Sequence, residues 1–240
     1  MAVSEARHHI MVVSGHCGDG EVMAGGIVAK YTSRGHKATF VHMTAGEKGH
    51  KSLSPQEYAA QKRAEAQKAA EVLGADVYFM PYKDAELPLD DEVKYRLPDL
   101  IREVKPTIIL THWRESIHKD HANTSLIAEE ARFYAALPAI QRELPAHGAW
   151  GFFYCENWED PYGYEPDIYV DISDVFDTYV EAISQYELFR GGISSFRYLD
   201  YYKALAVMRG CLAGCQYAQT LMRPRGTGVQ KGQAIPGYAL

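Results

Sequence analysis

Short apolar runs alternate with longer segments in which apolar side chains recur every three or four residues. The runs 9–14 (HIMVVS), 38–44 (ATFVHMT), 77–80 (VYFM) and 107–112 (TIILTH) predict four strands. Between and after them, 21–34, 55–73, 91–104 and a stretch from Asp120 to Ala136 predict helices. The segment 55–73 carries its own boundaries, with Ser54 as N-cap, Pro55 at the first helical position and Gly74 as the stop. Strands separated by helices need crossover connections, which favours an α/β, Rossmann-like, mostly parallel sheet with helices on both faces. Two more strands are expected at 150–156 and 167–172, then helices at 175–189 and 200–221 and a Gly/Pro-rich tail after Arg223. No repeat or linker divides the chain, so 1–240 reads as a single domain.

Composition narrows the function. A chain of 240 residues with 47% hydrophobic positions can bury a full core. Its 25 Lys and Arg against 31 Asp and Glu argue against a general nucleic-acid surface or a polybasic membrane anchor. No run reaches the roughly 18 apolar residues of a membrane span, and the start lacks a basic, then apolar leader, so a cytoplasmic protein is expected. Cys17, Cys155, Cys211 and Cys215 show no Cys-x-x-Cys spacing and are expected to be free thiols.

In parallel sheets ligands collect at the carboxyl ends of the strands. His16, Cys17, Gly18 and Asp19 follow the first strand, Glu47 the second, Asp84 the third, and His112, His118, Asp120 and His121 the fourth. The first and fourth strands can be neighbours in such a sheet, which would bring two His/Asp clusters to one point. Two imidazoles and a carboxylate would form a three-ligand site with a position open for water, the pattern of catalytic zinc. The plainer alternative is that His16 and Asp19 cap a helix while His118 and His121 lie on the surface. The first turn, GHCGDG, lacks the GxGxxG register, and neither a Walker loop nor a Gly-x-Ser-x-Gly elbow is present, so nucleotide binding is discounted.

The chain resembles the PIG-L, or LmbE-like, N-deacetylase family, whose first strand ends in Ala-His-Pro-Asp-Asp-Glu and whose fourth precedes His-Pro-Asp-His. Here these stand as Gly15-His16-Cys17-Gly18-Asp19-Gly20 and His118-Lys119-Asp120-His121. The likeness extends through Gly25-Gly26, Thr44-Ala45-Gly46-Glu47, Arg63 with Glu65, Val72-Leu73-Gly74, Val170-Asp171-Ile172, Arg209-Gly210, Ala213-Gly214 and Tyr217-Ala218. It implies that His16, Asp19 and His121 hold a divalent ion, zinc or another. It further implies that His118 steadies an oxyanion or protonates a leaving amine, that Asp120 orients a histidine, and that Glu47, Arg63 and Asp84 build substrate and loop contacts. For Arg63, a solvated charge on a polar helix is an equal alternative.

One departure from the family bears directly on catalysis. Gly18 stands where the family keeps a carboxylate general base, a loss expected to cost on the order of a hundredfold or more. Asp120, Glu47 and Glu21 are the sequence candidates to replace it. Cys17 stands in the proline's place, and a small residue in a tight turn is the favoured account. The loop WEDPYGY at 158–164 is hard to read as core and is expected to rim the pocket or to join copies of the chain into a homo-oligomer. The reading is therefore a metal-dependent hydrolase that removes an acyl group, acetyl in the family, from the amine of an amino sugar or related small molecule. A catalytically weak metal- and sugar-binding protein, or a hydrolase of another C–N bond, is the alternative.

Overall fold

The computed structural model describes residues 7–160 and 162–224. The expected Gly/Pro-rich tail falls, from residue 225 onwards, outside the described residues. Seven strands form one sheet in the order β3-β2-β1-β4-β5-β7-β6. β1 (His9–Ser14), β2 (Lys37–Thr44), β3 (Asp76–Tyr82), β4 (Ile108–His112) and β5 (Gly151–Cys155) run parallel. β7 (Ala218–Met222) is antiparallel to both β5 and β6 (Ile168–Asp171). No described helix is long and apolar enough to cross a membrane.

The apolar runs are explained by burial on both faces of the sheet. Along β1, Ile10 and Val12 pack into one layer and Met11 and Val13 into the other, the period of two that a strand imposes. The first layer is closed by α1 (Asp19–Thr32), α2 (Pro55–Leu73) and α5 (Phe176–Ile183), the second by α3 (Asp91–Val104) and α4 (Lys119–Ala135). The boundaries read for α2 hold: Ser54 accepts from the Glu57 amide and Gly74 closes the helix in a left-handed conformation.

Three elements differ from the sequence reading. Helix α1 begins at Asp19 rather than residue 21, because Gly18, at φ +106, turns the chain and the Glu21 carboxylate accepts its amide hydrogen. The helix expected at 175–189 is a 3-10 turn followed by α5, which ends at Ile183. The helix expected at 200–221 is α6 (Tyr198–Ala213) followed by a strand missed in the sequence, β7. Gly214 stops α6 at φ 73, and a side chain at Gly210 would stand 2.5 Å from the Gln216 carbonyl oxygen, so the chain folds tightly back on the helix.

β7 also pins α1. Gln219 accepts from the Ile27 amide and donates to the Val22 carbonyl, an approach that Gly26 permits because a Cβ there would lie 2.7 Å from Ile172. Across the sheet, the buried Arg102 guanidinium of α3 donates to the carbonyls of Tyr134, Ala135, Leu137 and Leu144, closing the carboxyl end of α4. Arg102→Met keeps the stem and leaves these oxygens without donors. It should lower the unfolding free energy by about 3 kcal/mol, read as a drop in urea midpoint at unchanged slope; a loss under about 0.5 kcal/mol, the range of ordinary surface changes, would contradict this role for the latch.

Candidate active site

Pairing of β1 with β4 places the loop after β1 against the start of α4. Gly15 is the point of closest approach: a Cβ there would lie 2.8 Å from the His121 ring, so only glycine lets the two segments meet. Three donor atoms converge. His16 Nδ1 is 2.9 Å from Asp19 Oδ2 and 3.0 Å from His121 Nε2, and His121 Nε2 is 2.9 Å from the same carboxylate oxygen. Asp19 comes from the first turn of α1, where the helix dipole favours its charge.

At this separation the two facing imidazole nitrogens hold one hydrogen between them at most, so the pair takes up a single added proton. Burial works against a proton on either ring, yet the Asp19 carboxylate outweighs it, raising His16 well above its ordinary range and His121 to about 9. Burial would raise Asp19; the charges of His121 and His16 overcome it and hold the carboxyl well below its usual range. In chemical terms, two imidazoles and one carboxylate aim their lone pairs at one point, a donor set that fits a divalent ion.

Carboxylates surround the trio. The far nitrogen of His16 lies 3.2 Å from Asp84 Oδ1 and 3.5 Å from Asp120 Oδ2. Glu159 Oε2 lies 2.9 Å from His121 Nδ1. Asp84 also accepts from the Lys48 amide, and despite its burial the His16 contact brings its carboxyl down to about 2. Glu47 accepts from the Asp84 amide and ties one loop to the next. Asp120, fully buried, accepts from the Ala85 and Leu87 amides and so fixes the loop after β3.

His118 stands beside the trio, its ring centroid 4.5 Å from that of His16 and 4.9 Å from that of His121. As N-cap of α4 it accepts the Asp120 amide at Nδ1, so its hydrogen sits on Nε2. Burial and the neighbouring histidines lower its pKa, which keeps it neutral and a donor.

The structure thus gathers His16, Asp19, His118, Asp120 and His121 at one place, with Asp84 against His16 and Glu47 one contact behind. It does not bring in Arg63, which is exposed on α2 with its guanidinium 5.8 Å from the Phe79 ring centroid. Its neighbour Lys62 turns inward instead, its ammonium 3.5 Å from where a Gly18 side chain would begin. The one-residue shift follows from helix phase, since the buried positions of α2 run through Tyr58, Lys62, Ala66 and Ala69.

Two site residues were given no part in the sequence reading: His112, named only for its place after the fourth strand, and Glu159. His112 ends β4 fully buried, stacks on His121 at 4.0 Å and accepts the Gly15 amide at Nε2. Burial, then the His121 charge, lower its pKa, so it is neutral and its Nε2 is already engaged. Its position at the end of a strand was the available signal. Glu159 lies in the 158–164 loop, where the surrounding aromatics drew attention away from the carboxylate. That loop is not an open apolar surface: Trp158 stacks on Phe196 at 4.6 Å, Tyr164 reaches Thr220 Oγ1 at 3.2 Å, and among its described rings only Tyr162 is largely exposed, at 71%. The oligomer argument built on it therefore loses its basis.

The candidates for a replacement base each accept hydrogen bonds from other groups, although Glu47 keeps Oε2 without a partner among the described residues. Glu21 accepts from the Gly18 amide and the Tyr186 hydroxyl, Asp120 from two amides, and Glu47 from the Asp84 amide. Nor is position 18 simply vacant, because a Cβ there would lie 2.7 Å from the Phe189 ring. Cys17 is buried, and its pKa is pushed far up by burial, the state of an inert packing thiol.

Residues 11–132 match the family model described as PIG-L, GlcNAc-PI de-N-acetylase. The chain is 28% identical over 213 residues to the 4-oxalmesaconate hydratase of Pseudomonas putida, covering 85% of this chain and 80% of that protein. It is 27% identical over 224 residues to the diacetylchitobiose deacetylase of Thermococcus kodakarensis, covering 88% and 80%. The crystal structure of a 4-carboxy-2-hydroxymuconate hydratase from Pseudomonas putida superimposes with a TM-score of 0.83 at 27% identity, over 95% of this chain and all of that one.

The protonation of the trio sets a pH dependence. In the folded, metal-free chain His121 keeps its proton up to about pH 9, whereas an unfolded histidine loses it near 6.5. The stabilisation is complete below pH 6.5 and is lost as pH rises through 9. Chelator-treated protein should show a falling urea midpoint between pH 6 and 9.5, and His121→Gln should flatten that slope; a midpoint that rises over the interval contradicts the assignment.

Proposed function

Since the chain belongs to the PIG-L family, we propose that it is a metal-dependent hydrolase that removes an acyl group from the amine of an amino sugar or related small molecule. The observation that carries this reading is the triangle of His16 Nδ1, Asp19 Oδ2 and His121 Nε2, with sides of 2.9 to 3.0 Å, beside a neutral donor at His118 Nε2. His16, Asp19 and His121 would hold the ion, and zinc suits two imidazoles and a carboxylate with a position left open. When bound, the ion would supply a Lewis acid that acidifies water and polarises a carbonyl.

The chain's own groups do the rest. His118 Nε2–H donates to the oxygen that gains charge as the carbonyl is attacked. Glu159 holds His121 at its far nitrogen, and Asp84 with Asp120 does the same for His16, which fixes both rings in ligand orientation. We propose a reducing, cytoplasmic setting as well, a reading that the four unpaired cysteines support.

A second reading is favoured by the absence of a carboxylate at position 18 together with the hydratases among the relatives. In it the same centre adds water to a conjugated double bond of an unsaturated carboxylate, and no amine has to leave. Both reactions place the oxygen of water on an electrophilic carbon, so the ion and His118 keep their duties.

Incubation with a panel of N-acetylated sugars should release free amine, in proportion to a bound divalent ion found by elemental analysis. His121→Ala should lose the ion and reduce turnover by more than about a hundredfold, the scale on which even outer residues of such sites act. Absence of amine release from every member of the panel, with loss of conjugated absorbance from unsaturated dicarboxylates, would replace the first reading by the second.

We also propose a homo-oligomer, now on different side chains: Trp150, 91% exposed, and Phe133 beside the carboxyl end of α4 present apolar surface suited to a second copy. Sedimentation should give a multiple of 26.9 kDa, and Trp150→Ser should shift it towards the monomer; a clean monomer mass for the unmodified chain excludes it.

A further inference from the structure

Lys62 has no place in the chemistry above, and its surroundings call for an anion. The side chain is only 3% exposed, and its ammonium lies 5.0 Å from the Tyr186 ring centroid and 5.9 Å from that of Phe189. Ring faces of this kind hold a desolvated cation, yet they do not neutralise it. Among the described residues Lys62 forms no ion pair. Two buried carboxylates of the helices on this side of the sheet are served by other donors: Glu21 accepts from the Gly18 amide and the Tyr186 hydroxyl, and Glu65 from the Gln61 side chain and the Glu187 amide. A buried ammonium without a carboxylate in contact is costly to maintain.

Its position gives the reason. The ammonium stands 3.5 Å from where a side chain at Gly18 would begin, and Gly18 precedes Asp19 of the donor triangle. With no side chain at position 18, nothing from the loop itself covers the cation. We propose that Lys62 is a substrate-anchoring residue that binds a carboxylate carried close to the reacting bond, so that the substrate is an anionic compound rather than a neutral sugar. This rests on the reading that the His16, Asp19 and His121 centre is where the substrate reacts, and it narrows the substrate class of that centre. A carboxylate held here would accept hydrogen bonds from Nζ beside Gly18, one residue from Asp19. Phe189 and Tyr186 wall that subsite and keep water from weakening the pair.

The probes are maleate and its half-amide maleamate, titrated by calorimetry into the metal-loaded, full-length protein, with acetate as a ligand too short to reach both points. Maleate should bind at least about tenfold tighter than maleamate, a difference of about 1.4 kcal/mol. The preference should vanish in Lys62→Met and return in Lys62→Arg, while acetate binds all three proteins alike. Equal affinity for maleate and maleamate in the unmodified chain, or a preference that survives in Lys62→Met, overturns the proposal. If Lys62→Met does not fold, reductive 13C-methylation of the unmodified protein reads the residue directly: the Lys62 resonance, assigned through Lys62→Arg, should move on maleate addition and stay still with acetate, and no movement overturns the proposal. The two readings fail separately. Intact maleate preference without amine release from any N-acetyl compound removes deacylation and leaves the anchor, whereas amine release from N-acetyl compounds by a protein that binds maleate and maleamate alike removes the anchor and leaves deacylation.

Discussion

The contact on which the rest of the site depends is between a backbone and a ring. Gly15 lets the His121 imidazole come within van der Waals reach of the loop after β1, and only at that separation do His16, Asp19 and His121 face one another across 3 Å. The fold holds them there from both sides. β1 and β4 are registered by parallel pairing, and His112 at the end of β4 both accepts the Gly15 amide and stacks under His121. Three polar groups are thereby kept close to one another, a donor set that fits a divalent ion.

The surrounding carboxylates spread that constraint outward. Asp84, Asp120 and Glu159 meet the outer nitrogens of the two histidines, while Asp84, Asp120 and Glu47 take up backbone amides from the loops after β2 and β3. Loop shape and ring orientation thus share two carboxylates, Asp84 and Asp120, which couples the site to the loops after β2 and β3.

Much of this was legible in the chain. Apolar runs of four to eight residues separated by capped helices identified the first five strands, and His16, Asp19, His118 and His121 stood at strand ends where a parallel sheet collects its ligands. What escaped depended on phase or on distance. Arg63 and Lys62 are adjacent cations on one helix, and only the packing of α2 decides which turns inward. Glu159 reaches His121 across 38 residues of sequence through a loop with no regular period. The strand 218–222 reads as a continuation of α6 because Gln219 and Thr220 look like a polar helical face; they are polar because Gln219 serves the backbone of α1 and Thr220 serves Glu156.

That last strand has a consequence for how the molecule is made. β7 lies between β5 and β6 and is antiparallel to both, so β6, though synthesised about fifty residues earlier, has no sheet neighbour until the end of the chain arrives. A nascent chain shorter than about 222 residues leaves one edge of β5 open and the face of α1 around Gly26 uncovered. The proposed centre draws on residues 16 to 159, yet its sheet is closed only by a segment that emerges from the ribosome after every one of them.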